Sequence, residues 1–361
     1  MTIAFLVYDI SLTGGAERVA INLANELSKN PENTIHIISV FKEKDLSTGL
    51  LEQVEVEILN NEKCSITKHL FKLSNALKQC VVGNDIEVLV SITAGVVTLA
   101  HTALKKTMTK HVYAEHSNLE NRTYGCKHRF RQWVGAKYAD KIVTLTERDL
   151  NNFIKQFKVR ADRIIAIPNW YEGEVSDKAY SKSSKNIISV GRLEYVKGYD
   201  YLIEVAKIVL NKHKDWRWSI YGDGSERERV EEKIQENNLE DCLLLHGNVS
   251  SDKIDYSGSA FFVMTSRYEG LPLSIIEAQC AKLPVISFDC PTGPSEMVED
   301  GVNGFLVEPY SIESLAKKIE CLINSESLRV EFSRNSTNGL EKYKKTKVLR
   351  QWNTLFNQLV R

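Results

Sequence analysis

The chain has 361 residues, room for two domains of ordinary size, with zero formal net charge and 43% hydrophobic against 26% charged residues. This is the balance of a soluble globular protein; it offers no bulk attraction to nucleic acid, and no run of about 18 apolar residues predicts a transmembrane helix. Seven cysteines, at 64, 80, 126, 242, 280, 290 and 321, form neither a C-x-x-C pair nor a metal-like spacing with histidine, and the N-terminus carries no basic leader, so reduced thiols and a cytoplasmic location are predicted.

Residues 3–8 are apolar and of strand length, Gly14-Gly15 follow, and residues 16–27 place apolar side chains at 19, 20, 23, 24 and 27. Strand, glycine turn and helix open a βαβ unit. The turn lacks G-x-G-x-x-G and Gly-Lys-Ser/Thr, so it is neither a dinucleotide fingerprint nor a Walker loop. It is an ordinary glycine turn or a place where backbone approaches a ligand at a helix N-terminus. Further strand-like runs at 34–41, 87–92, 111–115, 141–145 and 164–167 alternate with helical patterns. That alternation predicts a parallel sheet covered on both faces, with ligands outside the strands' carboxyl ends. His116 and Asn118, in Ala114-Glu-His-Ser-Asn118, fall at such an end and become candidates by position.

Residues 101–163 hold 14 Lys and Arg against 6 Asp and Glu, a net of +8. Their densest part, Lys127-His-Arg-Phe-Arg-Gln-Trp133, mixes cations with aromatic rings. It suits an anionic membrane or a diphosphate-linked lipid, with Arg129 and Arg131 as acceptor contacts, and equally suits a solvated helix face. Pro168-Asn169 closes a first domain, 1–170, and 171–185 reads as a linker. Runs at 186–190, 216–221, 243–246, 261–264, 284–288 and 305–307 then repeat the architecture within 186–339. A C-terminal helix, 340–361, carries Trp352, Leu355, Phe356 and Leu359 at helical spacing for core packing, or for folding back on the first domain. The expected architecture is α/β: two doubly wound, Rossmann-like domains facing across a cleft.

Four groups of the second domain fall at strand ends. In Gly191-Arg-Leu-Glu-Tyr-Val-Lys-Gly198, the cations Arg192 and Lys197 follow a strand and could neutralise a leaving pyrophosphate. Gly222-Asp-Gly224 and His246-Gly-Asn-Val249 make turns suited to bordering a base, and Pro291-Thr-Gly-Pro-Ser-Glu296 adds a rigid loop. The apolar run 261–264 leads into Ser266-Arg-Tyr-Glu-Gly-Leu-Pro-Leu-Ser-Ile-Ile-Glu277, a strand, turn and helix whose first amides favour an anion. Glu269 in the turn and Glu277 two helical turns on would repel phosphate unless they grip hydroxyls, which points to sugar and ribose.

Gly14-Gly15, the 191–198 segment, and Glu269 with Glu277 resemble the motifs of the family 4 retaining glycosyltransferases of GT-B fold, the kind that builds bacterial surface polysaccharides. The resemblance spans nearly the whole chain. It implies transfer of a hexose or N-acetylhexosamine from a nucleotide-sugar, UDP-linked by preference, to a polyprenyl-diphosphate-linked or other saccharide, with the anomeric configuration kept. Arg192 and Lys197 would hold the diphosphate beside Gly191, Glu277 the ribose, and Glu269 the transferred sugar, while the Leu273 and Ser274 amides add phosphate contacts. Val249 would border the base, and His116 would face the donor sugar. Gly15 would lie by the phosphates or the acceptor, and Gly14 and Asn118 on the acceptor side. Gly-Leu-Pro follows Glu269 where many relatives carry Gly-Phe-Gly, and Pro272 has no N–H to give.

The sequence contains no D-x-D acidic clamp, so neither metal nor other cofactor is expected. With no separate nucleophile evident, front-face attack is expected, ahead of a covalent glycosyl–Glu269 route. Alternatives are a GDP-mannose-dependent mannosyltransferase, a UDP-N-acetylglucosamine 2-epimerase of the same fold, an idle nucleotide-sugar binder and, weakest, an NAD-dependent dehydrogenase. Peripheral contact with the inner face of the cytoplasmic membrane is compatible with the basic segment; nucleic acid is not an expected partner.

Overall fold

The structure is a computed structural model, and it describes all residues except 12–14, 44–48, 122, 172, 176–180, 251–252 and 361. The chain divides into two compact units, Met1–Asn169 with Lys345–Arg361, and Trp170–Lys344.

Unit 1 runs β1 (Thr2–Asp9), α1 (Gly15–Ser28), β2 (Thr34–Phe41), β3 (Val54–Asn60), α2 (Leu70–Gly83), β4 (Val88–Ile92), α3 (Ala94–Ala103), β5 (Lys110–Ala114), α4 (Cys126–Tyr138), β6 (Lys141–Thr144), α5 (Glu147–Phe157) and β7 (Ile164–Ala166). Its seven strands pair in the order β3-β2-β1-β4-β5-β6-β7, each pair parallel. Ile3, Ala4, Phe5 and Leu6 of β1 are fully buried, as a parallel strand covered on both faces requires. The apolar runs do not mark β3, whose Val-Glu-Val-Glu alternation suits a strand paired on one side only. The direction of sheet growth reverses between β1 and β4, and such a switch point leaves a crevice outside the strand ends.

Unit 2 runs β8 (Asn186–Val190), α6 (Tyr199–Lys212), β9 (Arg217–Tyr221), α7 (Arg227–Glu236), β10 (Leu243–Leu245), β11 (Phe261–Met264), α8 (Leu273–Cys280), β12 (Val285–Phe288), β13 (Gly304–Val307), α9 (Ile312–Asn324) and α10 (Glu326–Asn335). Its parallel sheet has the order β10-β9-β8-β11-β12-β13, with the switch point between β8 and β11. Trp218, Phe261 and Phe288 are fully buried in its core.

Two boundaries differ from the sequence reading. The described part of 171–185 is bound into unit 2 instead of standing free. Tyr171 bridges to Lys344, Ser184 Oγ donates to the Gly258 carbonyl at 2.7 Å, and Arg329 reaches the Lys182 carbonyl. The terminal segment 340–361 also divides. Leu340 and Tyr343 are buried in unit 2, where Lys342 Nζ donates to the Glu296 carbonyl at 2.8 Å. The helix proper, α11 (Lys345–Val360), belongs to unit 1, where it packs on α1 and β4 through Val348, Trp352, Leu355 and Phe356. Lys345 fastens its first turn to Glu26 of α1 at 3.1 Å. An apolar stripe shows that a helix must pack, but not against which partner. Among the described residues no helix is long and apolar enough to cross a membrane.

Candidate active site

At the switch point of unit 2, the turn after β8 and the turn after β11 are locked together. Gly198 has φ +68°, and a Cβ there would stand 2.2 Å from the Thr265 carbonyl oxygen, so the approach of the two turns demands glycine. The Arg267 amide donates to the Val196 carbonyl at 2.8 Å. The Arg267 side chain forks onto Asp200 at 2.9 and 2.6 Å, with its guanidinium over the rings of Tyr195 and Tyr201. That bidentate pair raises the Arg267 pKa against the cost of burial and holds the Asp200 carboxyl below its ordinary range. Gly191 lies under Tyr199, whose Oη donates to its carbonyl at 2.7 Å.

This framework sets the charges. Lys197 Nζ lies 2.7 Å from Glu269 Oε1, and Ser266 Oγ donates to the same oxygen at 2.6 Å. Glu269 is only 8% exposed and Lys197 partly so, which leaves further N–H bonds of the ammonium for an anion while the carboxylate keeps it in place. Thr292 Oγ1 donates to the Glu269 carbonyl, which ties the 291–296 loop onto the Glu269 turn. Arg192 is exposed and in no ion pair among the described residues. Glu194 turns away to Ser225, which donates through its amide and its Oγ.

Glu277 sits on α8, where Tyr256 Oη donates to its Oε2 at 2.6 Å. Burial and then Glu277 push the Tyr256 phenol far above its ordinary range; burial, Cys280 and Glu277 push Tyr171 up to about 12. Leu273 and Ser274 stand in the first turn of α8, where amides have no carbonyl of their own helix to reach. Pro272 precedes them without an N–H, and its carbonyl accepts from Ile275 at 3.0 Å. Val249 is half-buried beyond β10, and His246 stacks on Tyr221 with ring centroids 4.5 Å apart.

In unit 1, His116 follows β5. Both its ring nitrogens are buried without a partner among the described residues, and burial lowers its pKa to about 4, so it is neutral at pH 7. The loop around it is pinned from below. Buried Glu115 accepts from the Ser117 amide and Oγ at 2.9 and 2.6 Å, from Gln132 at 3.2 Å and from the Tyr113 hydroxyl. Asp149 accepts from the Leu119 amide at 3.2 Å, and burial followed by Glu115 raises its pKa to about 7. Asn118 is buried and its Oδ1 takes the Glu120 amide at 2.7 Å, so it shapes the loop. At the end of β4, Thr93 has φ +71°, a strained value for a β-branched residue, while capping α3. At the end of β1, Asp9 Oδ1 holds the Ser11 amide and hydroxyl, while Oδ2 is buried without a partner among the described residues.

Gly15 begins α1 with open space where a Cβ would stand, and Gly14 lies outside the described residues. Arg129 is exposed and Arg131 half-buried on α4. Lys197, Glu269 and Glu277 lie at unit 2 strand ends, where the sequence places them, and the structure adds contacts from Tyr256, Ser266, Arg267–Asp200, Glu115 and Asp149 to which the sequence reading gave no role. Tyr256, Arg267 and Asp149 meet partners that only the fold supplies, whereas Ser266 meets Glu269 and Glu115 meets Ser117 and Tyr113 within the same local segment.

Among the described residues no three His, Cys, Asp or Glu side chains are grouped to hold a metal. The family models for group 1 glycosyl transferases and glycosyltransferase family 4 match residues 174–339 and 13–172. A glycosyltransferase of Haemophilus influenzae is 30% identical over 350 residues, 97% of this chain and 98% of that one. A Campylobacter jejuni alpha-1,4-N-acetyl-D-galactosaminyltransferase, whose name specifies a saccharide on PP-undecaprenol, is 26% identical over 98% of this chain and 97% of its own. Anabaena HepE in complex with UDP shares the fold with a TM-score of 0.81 at 19% identity, covering 99% of this chain and 100% of that one. The chain therefore belongs to the family 4 glycosyltransferases, and its two parallel-sheet units have the GT-B fold.

Proposed function

We propose that this glycosyltransferase is a retaining enzyme that moves a hexose or N-acetylhexosamine from UDP to a saccharide on a polyprenyl diphosphate, as a step in building a bacterial surface polysaccharide. The observation that carries the donor half is the Lys197–Glu269 pair at the unit 2 switch point, with Glu277 on the adjoining helix. Lys197 and Arg192 supply positive charge for the diphosphate, the first amides of α8 add donors, and Glu277 takes ribose hydroxyls. The UDP complex of HepE supports the choice of nucleotide, and the Campylobacter relative supports the lipid carrier and the amino sugar.

In the reaction, the acceptor hydroxyl oxygen bonds to the anomeric carbon as the carbon–oxygen bond to phosphate breaks. The departing phosphate oxygen takes the acceptor's proton on the same face, so configuration is kept. Glu269 is a poor nucleophile here, because its Oε1 already accepts from Lys197 and Ser266. His116, being neutral, offers one donor and one acceptor to sugar hydroxyls without adding charge. Cations and amides do the neutralising, so the reaction needs no divalent metal; full activity in EDTA is expected, and activity restored only by a divalent ion would refute this.

The proposal extends to an anionic membrane surface beside the acceptor's lipid. Phe130 and Trp133 stack at 5.7 Å on the exposed face of α4, Trp133 meets Tyr138 at 6.0 Å, and Lys137 lies over both rings. A hollow of about 320 Å³ lined by His101, Lys105, Met108, Lys110 and Tyr138 continues that face, and rings among cations are the composition of a membrane interface.

The donor reading is tested by thermal shift with UDP, GDP, dTDP and NAD on the wild type and Glu277→Ala. A ligand bound only by the native state raises apparent stability. UDP should stabilise the wild type and do so less in the variant. Stabilisation by GDP alone would move the donor to GDP-mannose, and by NAD alone would end the transferase mechanism proposed.

A further inference from the structure

We infer that Tyr256 is a positioning residue that makes the donor site selective for ribonucleotides, an inference that rests on the donor reading above. Glu277 leaves α8 on a side chain with three rotatable bonds, and a carboxylate that is to take a ribose diol must hold one plane. Tyr256 is 7% exposed, and its hydroxyl meets Glu277 Oε2 at 2.6 Å, the length of a charge-assisted bond. The phenol keeps its proton at every working pH, so toward Glu277 it acts only as a donor. It is itself held by the chain: its amide donates to the Ile254 carbonyl and its carbonyl accepts from Ser259, both at 3.0 Å, just before β11. The phenol thus comes from the segment entering the switch-point strand, and the carboxylate from the helix leaving it. Ordering the carboxylate before the ligand arrives removes a rotamer cost from binding and fixes where hydroxyls must lie.

Acting on the ribose only through Glu277, Tyr256 is one residue removed from the donor in this reading. Its effect should therefore fall on donor affinity and on discrimination at the sugar of the nucleotide, not on the chemical step. The geometry is also specific about chemistry: phenylalanine keeps the ring that fills the pocket and removes only the O–H.

The experiment measures binding of UDP and 2′-deoxy-UDP, and donor KM and kcat, for the wild type, Tyr256→Phe and Glu277→Ala, with a thermal melt of each. Tyr256→Phe should weaken UDP binding and raise donor KM by about tenfold, the worth of one buried hydrogen bond to a charged group. Its kcat should stay within about twofold of wild type, and its preference for UDP over 2′-deoxy-UDP should fall. A folded Tyr256→Phe enzyme with the wild-type ribose preference would overturn the inference, as would a loss confined to kcat. If the wild type binds no nucleoside diphosphate, the donor reading itself fails. If UDP binds and Glu277→Ala weakens it while Tyr256→Phe does not, only the role of Tyr256 fails.

Discussion

The strand ends of the two sheets differ in how the polar groups nearest their switch points are met. In unit 2 the acidic groups are gripped: Glu269 by Lys197 and Ser266, Glu277 by Tyr256, and Asp200 by Arg267. In unit 1, His116 and Asp9 Oδ2 are buried with no partner among the described residues, and Asp149 is pushed toward its protonated form. A buried polar atom left without a hydrogen bond costs about 1–3 kcal/mol. At the unit 2 switch point Glu269, Glu277 and Asp200 find their partners within the fold and are ordered before any ligand arrives, although Gln279 Oε1 and Arg329 Nε elsewhere in the unit are buried without one among the described residues. In unit 1 the His116 ring nitrogens carry that cost unmet among the described residues, and a ligand rich in hydroxyls would relieve it. The difference suits a donor of fixed chemistry on one unit and a sugar-bearing partner on the other.

The sharpest way to separate the two edges is a pair of substitutions read in two assays. Lys197→Ala removes the cation from a buried carboxylate and from the proposed diphosphate site. It should abolish the thermal shift by UDP and lower transfer by about a thousandfold, the upper range for losing one electrostatic donor. His116→Ala should leave the UDP shift intact while lowering transfer by about a hundredfold. Loss of UDP binding in His116→Ala would erase the contrast.

A smaller effect, on stability, probes the unit 1 loop. The folded Asp149 pKa of about 7 lies above its unfolded value near 3.9, so folding holds a proton that the unfolded chain releases. This contribution is fully present below about pH 4 and is lost as pH rises to about 7. His111 and His116, lowered to about 3 and about 4 by burial, have the opposite sign and cost stability as pH falls below about 6.5. Asp149→Asn keeps an acceptor for Leu119 and removes the titration. Its stability relative to wild type should therefore grow between pH 4 and pH 7, by up to about 3 kcal/mol. A difference independent of pH, from denaturant unfolding at several pH values, would contradict the assigned cause.

The smallest effect on the chemistry is expected at the aromatic face of α4. Phe130→Ser with Trp133→Ser should abolish co-sedimentation with phosphatidylglycerol vesicles yet leave transfer to a detergent-dispersed acceptor unchanged. Wild-type protein that ignores anionic vesicles would remove the membrane from the proposal.

Much of the unit 2 strand-end arrangement could be read from the sequence because its elements are local. A buried apolar run, a Gly-Pro break and a helix place Glu269 and Glu277 within one strand-turn-helix segment, and periodicity alone sets their spacing. Unit 1 was less legible. His116 was a candidate only by position, and Asn118, expected on the acceptor side, is buried with its Oδ1 on the Glu120 amide. The basic run 127–133 also divided by face: Phe130 and Trp133 lie exposed, whereas Gln132 is buried against Glu115.

By itself the sequence determined the alternation of strands and helices, the doubly wound class and the residues that begin each strand-end turn, because these follow from periods of two and 3.6 residues and from where glycine and proline interrupt them. Only the tertiary structure decided the partners. Tyr256 meets Glu277 across 21 positions, Lys197 meets Glu269 across 72, and Lys345 meets Glu26 across 319. Hydrogen bonds and ion pairs depend on distances of a few ångströms in space, and separation along the chain carries no record of them.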